Sequence, residues 1–448
     1  MVGKGVCVKM SKEKEKSADF RYNTGKSRVP WAAVGENYNW QDVSEAVKFL
    51  IPQGTKPDKP YNTQLQKVKK DLQQLWKNGS SATKLSLGSQ VQKFEEETKK
   101  LLNCKYAVFL TNATAGFEIA FKFAGLKPGD EVIIPAITFI ASMMYPLAIG
   151  AKVVLADIDP KTLNIDPKDI ERKITSKTKV IMPVHIGGYP ADMDSIMKLA
   201  EKHNITVIED AAHAFGAEYK GKKLGTIGHF GSYSFHEVKN ITSFGEGGIL
   251  VTNEDCGEYF TQARFVGFHI AKPIPLWLYD VIALKWRGDY FAPGNHSATE
   301  LQALGALLHM KRLEKIIEKR REAAEYLNSR FKDEPGIIVP PLDTNQIKST
   351  HHLYLFQVDP TQLNGDIQTF KQKLATKGIT QIPHFAPLYR FSIMKQLGYD
   401  VEKIKQTCPN AEEAFLHRFT HLPLYNFTKA QLKYLADAVI ESVEEMRK

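Results

Sequence analysis

The sequence predicts an α/β protein whose strands run largely parallel. Two observations carry this. From residue 86 onward, short apolar and β-branched runs recur along the chain. Most of the early ones are separated by stretches with helical patterning. Strand–helix–strand alternation brings the chain back over one sheet by right-handed crossovers, which is how parallel strands form. The length of 448 residues is too great for one compact core and argues for two to three domains.

Taken in order, residues 1–20 are polar and lysine-rich and read as a loose tail. Residues 21–85 form a mixed arm, and within it Ile51–Thr63 collects turn-formers and reads as a loop. The strand-like runs are Tyr106–Leu110, Glu131–Ile134, Lys152–Ala156, Lys179–His185, Ile205–Glu209, Gly231–Phe235 and Gly248–Thr252. Helical patterns fall at Ala115–Ala124, Ile137–Ile149 and Met193–His203. The last two runs are joined by a long irregular polar and glycine-bearing segment, 236–247, of the kind that carries function inside compact domains. Leu301–Phe331 reads as one long helix leading to a second domain. That domain holds a strand-like Leu353–Val358 and helical stretches near 365–377 and 429–446.

Composition excludes several classes. Hydrophobic residues make 43% and charged residues 25%, so wholesale disorder and collagen-like repeats do not fit. No apolar run reaches the length of a membrane span, and the N-terminus lacks the apolar stretch of a signal peptide. Cys7, Cys104, Cys256 and Cys408 lie far apart and form neither a disulfide framework nor a metal-binding CxxC, which suits a reducing cytoplasm and predicts no metal. The net charge of +10 admits an anionic partner, but zinc-finger spacing and RNP-like aromatics are missing, so neither nucleic acid nor membrane is expected. Part of the excess sits in Lys311–Arg321 (KRLEKIIEKRR), which reads as a solvated helix face.

The chemistry concentrates in residues 205–248. ITVIED ends an apolar strand with Glu209 and Asp210, and ligands of open α/β sheets bind at the carboxyl ends of strands. A carboxylate there is by itself as well explained as a cap. Lys239 follows another strand 29 residues later. An acid and an amine beside one sheet edge are what pyridoxal phosphate needs: the amine bonds its aldehyde, and the acid keeps the pyridine nitrogen protonated.

At these residues the chain resembles the sugar aminotransferases named after DegT, DnrJ, EryC and StrS. The ordered motifs are GSQVQKFE at 88–95, TNATAGFEIA at 111–120, PAITFIAS at 135–142, PVHIGGYPADMD at 183–194, EDAAHAFGA at 209–217, GSYSFHEVKNITSFGEGG at 231–248, GNHSATELQALG at 294–305 and CPNAEE at 408–413. The resemblance spans roughly residues 28–448. It implies a fold type I architecture: an arm over 1–85, a large cofactor-binding domain over 86–300 with a seven-stranded, mostly parallel sheet, and a linking helix with a smaller C-terminal α/β domain over 301–448.

The resemblance also assigns roles. Lys239 is the lysine that carries pyridoxal 5′-phosphate, and Asp210 partners the pyridine nitrogen. Ala113 and Thr114 match a Gly-Thr that opens a helix and binds the cofactor phosphate, where free N–H groups and the helix dipole favour an anion. Ser234 supplies a phosphate-binding hydroxyl, and Phe139 stacks on the ring unless it is a plain core residue. His213 neighbours the cofactor's phenolic oxygen as a donor, in catalytic company with Lys239 and Asp210. Asn295 reaches the phosphate of the partner subunit in a homodimer with shared sites. The Tyr-Arg or Tyr-Lys that follows in many members is here His296-Ser297, which removes a cation. In the aromatic segment 270–293, either an amphipathic helix packs on the arm or partner, or Trp277, Trp286 and Tyr290 wall the substrate pocket. Arg287 is the candidate contact for a substrate diphosphate, and His384 a candidate substrate contact at the site's mouth.

The implied function is transfer of an amino group from glutamate or glutamine to a keto sugar, nucleotide-linked by preference. An unphosphorylated keto sugar or keto-cyclitol is the alternative acceptor. A dehydratase of the same family is a rival in class, but such enzymes have histidine where Lys239 stands. A cofactor-binding regulator and a nucleic-acid binder are the remaining rivals.

Overall fold

The structure is a computed structural model that describes residues 38–51, 59–78, 85–256, 259–268, 283–286, 289–379, 385–424 and 426–447. The chain divides into two compact units, with a boundary between Leu85 and Ser86.

The first unit contains α1 (Trp40–Leu50) and α2 (Lys59–Lys77). Asn39 opens α1 through a capping box: its side chain accepts from the Gln41 and Asp42 amides, and Asp42 accepts from the Asn39 amide at 2.9 Å. Lys69 of α2 pairs with Glu45 of α1 at 2.6 Å. The turn-forming stretch 51–63 thus ends as helix. Pro60 sits in the first turn of α2, where its missing N–H has no intrahelical partner to lose.

The second unit is built on seven strands: β1 (Tyr106–Leu110), β2 (Glu131–Pro135), β3 (Lys152–Ala156), β4 (Thr178–Ile181), β5 (Thr206–Asp210), β6 (Phe230–Ser234) and β7 (Gly248–Thr252). Their order in the sheet is β3-β2-β4-β5-β6-β7-β1. All neighbours are parallel except β7, which runs antiparallel to both β6 and β1. This is the expected seven-stranded, mostly parallel sheet.

Side chains of these strands alternate between two cores. Val108 and Leu110 enter one, Ala107 and Phe109 the other. Burial on both faces is why the strands read as continuous apolar runs. The helices that cover the sheet are α3 (Ser89–Leu102), α4 (Ala113–Phe123), α5 (Ala141–Ala148), α6 (Pro167–Lys173) and α7 (Met193–His203).

The expected long helix 301–331 is two helices, α8 (Glu300–Met310) and α9 (Leu313–Phe331). Arg312 leaves the helical region between them, with φ −111° and ψ 2°. Glycine and proline are both missing at this break, so only tertiary packing makes it. Ala303, Ala306 and Leu307 of α8 pack with the large sheet, whereas Leu327 and Phe331 of α9 join a third core. That core also holds β8 (Tyr354–Val358), β9 (Phe419–Leu422), α10 (Ile367–Thr376) and α11 (Lys429–Glu444). Glu300 caps α3 from a distance: its carboxylate accepts from the Gly88, Gln90 and Val91 amides at 2.7, 2.8 and 3.2 Å.

Candidate active site

The carboxyl edge of β5 separates two consecutive acids, because neighbouring strand residues face opposite ways. Glu209 is fully buried and spent on structure. It accepts from the Gly225, Ile227 and Gly228 amides at 2.6, 2.7 and 2.6 Å and meets His185 Nε2 at 2.8 Å. Asp210 faces the other way, into the site. Its Oδ2 accepts from the Ser142 hydroxyl at 2.9 Å and its Oδ1 from the Ala212 amide at 3.1 Å. Since Ser142 gives its one proton to Asp210, Thr138 must donate in the 3.4 Å contact between the two hydroxyls. Burial pushes the Asp210 carboxyl up, against the Ala212 amide, the Ser142 hydroxyl and the Lys239 charge.

Lys239 lies in the loop after β6, half-buried. Burial pulls its amine down to about 8, with the Asp210 charge opposing. An amine poised near neutrality is far more nucleophilic than an ordinary lysine. The same loop carries backbone strain, since Phe244 sits at φ 54° in the left-handed region next to Gly245 at φ 116°.

His213 follows Asp210 in a tight turn. Its Nδ1 accepts from the Gly187 amide at 3.2 Å, so in the neutral ring the proton is on Nε2, which is then a donor. The His213 ring lies 4.4 Å from that of His352 and 6.0 Å from that of Phe385. His352 Nδ1 meets Asn240 Oδ1 at 2.8 Å, and burial, with repulsion from His213 and Lys239, holds this imidazole neutral well below its usual range. Ser142 and His352 are site neighbours that the sequence reasoning missed. Ser142 enters the sequence reading only as the last residue of PAITFIAS, and the pair His351-His352 ahead of β8 is the signal that could have pointed to His352.

The start of α4 presents unused backbone donors. Ala113 and Thr114 open α4, and Asn112 caps it by accepting from the Ala115 amide at 2.9 Å. The amides of Ala113 and Thr114 fall in the first turn, where no intrahelical acceptor exists. The helix end is pressed onto the sheet: a Cβ on Gly248 would lie 2.4 Å from the Ala113 nitrogen, and one on Gly116 2.2 Å from Ser232 Oγ. Alanine is tolerated at 113 because its backbone is right-handed helical; it is not among the positive-φ residues. Ser234, at the end of β6, pairs in register with Gly248 and so stands beside the same helix end.

Phe139 is 60% exposed and is not a core residue. Asn295 is exposed, and its side chain accepts from the Ser297 amide at 3.2 Å. His296 meets Glu118 at 3.4 Å and, with Lys122, holds that carboxyl down to about 2. These groups suit pyridoxal phosphate: a buried acid for the ring nitrogen, a low-pKa amine, a donor imidazole, an open aromatic face and a helix N-terminus with a hydroxyl for the phosphate.

Of the aromatic segment, residues 270–282 and 287–288 lie outside the described residues; the described part pairs Leu284–Trp286 antiparallel with Asp289–Phe291. Trp286 is buried against Phe123 and Phe230. Both partners lie at the end of α4 and the start of β6, about 15 Å from the helix end that lines the site. Tyr290 is exposed with the Lys285 amine over its ring on the same hairpin. Trp277, Arg287 and His384 lie outside the described residues. The segment just after His384 is tied to the site, with the Leu388 amide on the Ala136 carbonyl at 2.8 Å and Phe385 against His213.

A sequence model described as the DegT/DnrJ/EryC1/StrS aminotransferase family matches residues 66–440. The spore coat polysaccharide biosynthesis protein SpsC of Bacillus subtilis is 33% identical over 86% of this chain and 94% of its own. A putative sugar aminotransferase of Streptococcus pneumoniae, Spr1654, solved in PMP and PLP forms, superposes with a TM-score of 0.71 at 27% identity, over 81% of this chain and 92% of that one. The structure of 3-amino-5-hydroxybenzoic acid synthase superposes with a TM-score of 0.70 at 27% identity, over 80% and 91%.

Proposed function

The chain belongs to the DegT/DnrJ/EryC1/StrS aminotransferase family, and from that premise we propose that it moves an amino group from glutamate or glutamine to the keto group of a nucleotide-linked sugar. The observation that carries this reading is that Asp210 ends β5 and Lys239 follows the adjacent, parallel β6, so an acid and an amine stand at the same carboxyl edge of the sheet. Pyridoxal phosphate, when bound, supplies an electron sink for the charge that develops on the substrate carbon. The chain's own residues do the rest. Lys239 would hold the cofactor through its amine, and the same amine, when free, would move the proton at the substrate carbon. Asp210 holds the proton on the pyridine nitrogen. His213 donates from Nε2 to the phenolic oxygen, Phe139 covers the ring, and Ala113, Thr114 and Ser234 take the phosphate.

The working unit is a homodimer in which Asn295 reaches the neighbour's phosphate. Support comes from an exposed apolar face on α8, formed by Leu301, Leu304 and Leu308. Phe244, from the Lys239 loop, lies over Gly305 of the same helix. Val238, next to Lys239, is exposed as well, and a second copy covering these residues would complete both sites. Cytoplasmic residence is supported by the buried thiols of Cys104 and Cys408, neither of which forms a disulfide with a described residue. Among the described residues no helix is long and apolar enough to cross a membrane. The name of the relative SpsC supports a product destined for polysaccharide.

The test is a spectrum and a screen. The purified protein should be yellow, should change colour on addition of glutamate, and should then aminate a keto sugar nucleotide. Loss of water from the sugar without uptake of nitrogen would make it a dehydratase. Turnover confined to unphosphorylated keto sugars or keto-cyclitols would overturn the substrate class.

A further inference from the structure

The basic stretch at 311–321 has a direction that its sequence does not reveal. Lys315, Ile316, Lys319 and Arg320 share one face of α9, at the i, i+4 and i+5 positions that a helix brings together, and Arg312 stands at the N-cap before them. The acids of the same helix, Glu314, Glu318, Glu322 and Glu325, fall on another face, where Glu318 pairs with Arg321 at 2.6 Å. Arg312, Lys315 and Lys319 on this face are exposed, as expected of a solvated surface. The basic face also lines a cleft of about 490 Å³ whose lining includes Lys239, and among the described lining residues Glu237 is the one acid.

Two of the cations are held in place from behind. Arg320 donates to the His352 carbonyl at 3.1 Å, and Lys319 to Asn426 Oδ1 at 3.3 Å. Arg312 and Lys315 are exposed and form no ion pair with a described residue. Four like charges along one wall repel one another and gain from an anion that bridges them. The volume suits a small-molecule site and is far too small for a nucleic acid groove.

We propose that this face of α9 seats the diphosphate of the nucleotide-linked acceptor, with Arg312 and Lys315 as the mobile contacts and Lys319 and Arg320 as the fixed ones. The proposal rests on the nucleotide-linked reading above and deepens it. A diphosphate spans several charge-assisted hydrogen bonds, and fixing it on the α9 wall leaves the attached sugar at the Lys239 end of the same cleft. The cation lost at Ser297 is thereby replaced from the enzyme's own linking helix. Glutamate and glutamine carry no diphosphate, so the face acts on the acceptor.

The experiment titrates the yellow holoenzyme with UDP and with inorganic pyrophosphate by calorimetry, comparing the natural chain with Lys315→Gln and with the pair Arg312→Gln, Lys315→Gln. Retention of the yellow spectrum confirms that each variant is folded and loaded. Both anions should bind the natural holoenzyme, and the paired variant should lose about tenfold or more in affinity. KM for the nucleotide-linked acceptor should rise by a similar factor, and KM for glutamate far less. Good turnover of nucleotide sugars with anion binding unchanged in the variants would overturn the cleft and leave the reading intact, as would failure of either anion to bind. A rise in KM confined to glutamate would reassign the face to the donor and overturn the proposal. Turnover confined to unphosphorylated sugars would remove the reading itself, and the occupant named here with it.

Discussion

Ser142 donates its hydroxyl to Asp210 Oδ2 at 2.9 Å, bridging the first turn of α5 and the end of β5. The bond is made to the charged carboxylate and holds its pKa down against burial. Ser142→Ala should therefore let the Asp210 pKa rise, so the carboxylate is lost at a higher pH as acid is added. The acid limb of kcat/KM should move to higher pH, and the rate at neutral pH should fall by about ten- to a hundredfold, the usual range for a lost hydrogen bond to a charged group. An unchanged pH profile would mean that the Ala212 amide alone suffices.

Asp210→Asn keeps the shape and removes the charge. The amide cannot hold a proton on the pyridine nitrogen, so the electron sink weakens. Turnover should drop by about a hundredfold or more, in the range of a lost acid–base partner, while the far-ultraviolet spectrum and cofactor content stay close to normal. A near-normal rate would show that another acid serves the ring.

Borohydride added to the yellow enzyme should fix the cofactor on the peptide that contains Lys239. Its position after β6, facing Asp210, leads to this. Label on any other lysine would end the assignment. Lys239→Ala should abolish turnover yet still retain cofactor through the first turn of α4 and Ser234.

Shared sites predict complementation. Protomers carrying Lys239→Ala mixed with protomers carrying Asn295→Ala should recover activity, because each heterodimer rebuilds one intact site. Absence of recovery, or a fully active monomer in sedimentation, would contradict the dimer and the place of Asn295 in it.

How much of this could be read from sequence depended on whether a residue's role follows from its position along a strand. Asp210 and Lys239 could be found because strand ends announce themselves, and β5 and β6 are adjacent in the sheet. Ser142 could not be assigned to Asp210, since 68 residues separate them and only tertiary register joins them. His352 comes from beyond the linking helices and meets His213 through packing. Trp286 shows how one composition admits two uses. An aromatic-rich segment near a motif looks like a pocket wall, yet its composition equally suits filling the space beside Phe123 and Phe230. The basic face of α9 is exposed at Arg312, Lys315 and Lys319, as its alternating charge suggests, but the cleft beside it is made by tertiary packing and has no local sequence signal.

The low pKa of Lys239 gives the last prediction a direction. The amine titrates at about 8 because burial disfavours its charge, and the Asp210 carboxylate works against that descent. Only the neutral amine attacks the cofactor aldehyde. A group titrating near 8 is about one-tenth neutral at pH 7 and about nine-tenths neutral at pH 9. Capture of pyridoxal phosphate by the apoenzyme, followed by the growth of yellow absorbance, should thus quicken about tenfold between those values and then level off. Asp210→Asn removes the charge that props the amine up, so its capture curve should have a midpoint below 8. The same shift bears on stability. With a folded-state value below the unfolded 10.5, the folded apoenzyme binds fewer protons between the two, so its stability should rise with pH from about 8 toward 10.5 and be flat in this respect below 8. A capture rate that keeps climbing to a midpoint near 10.5 would show that Lys239 is an ordinary solvated lysine, and the burial that tunes it would have no chemical consequence.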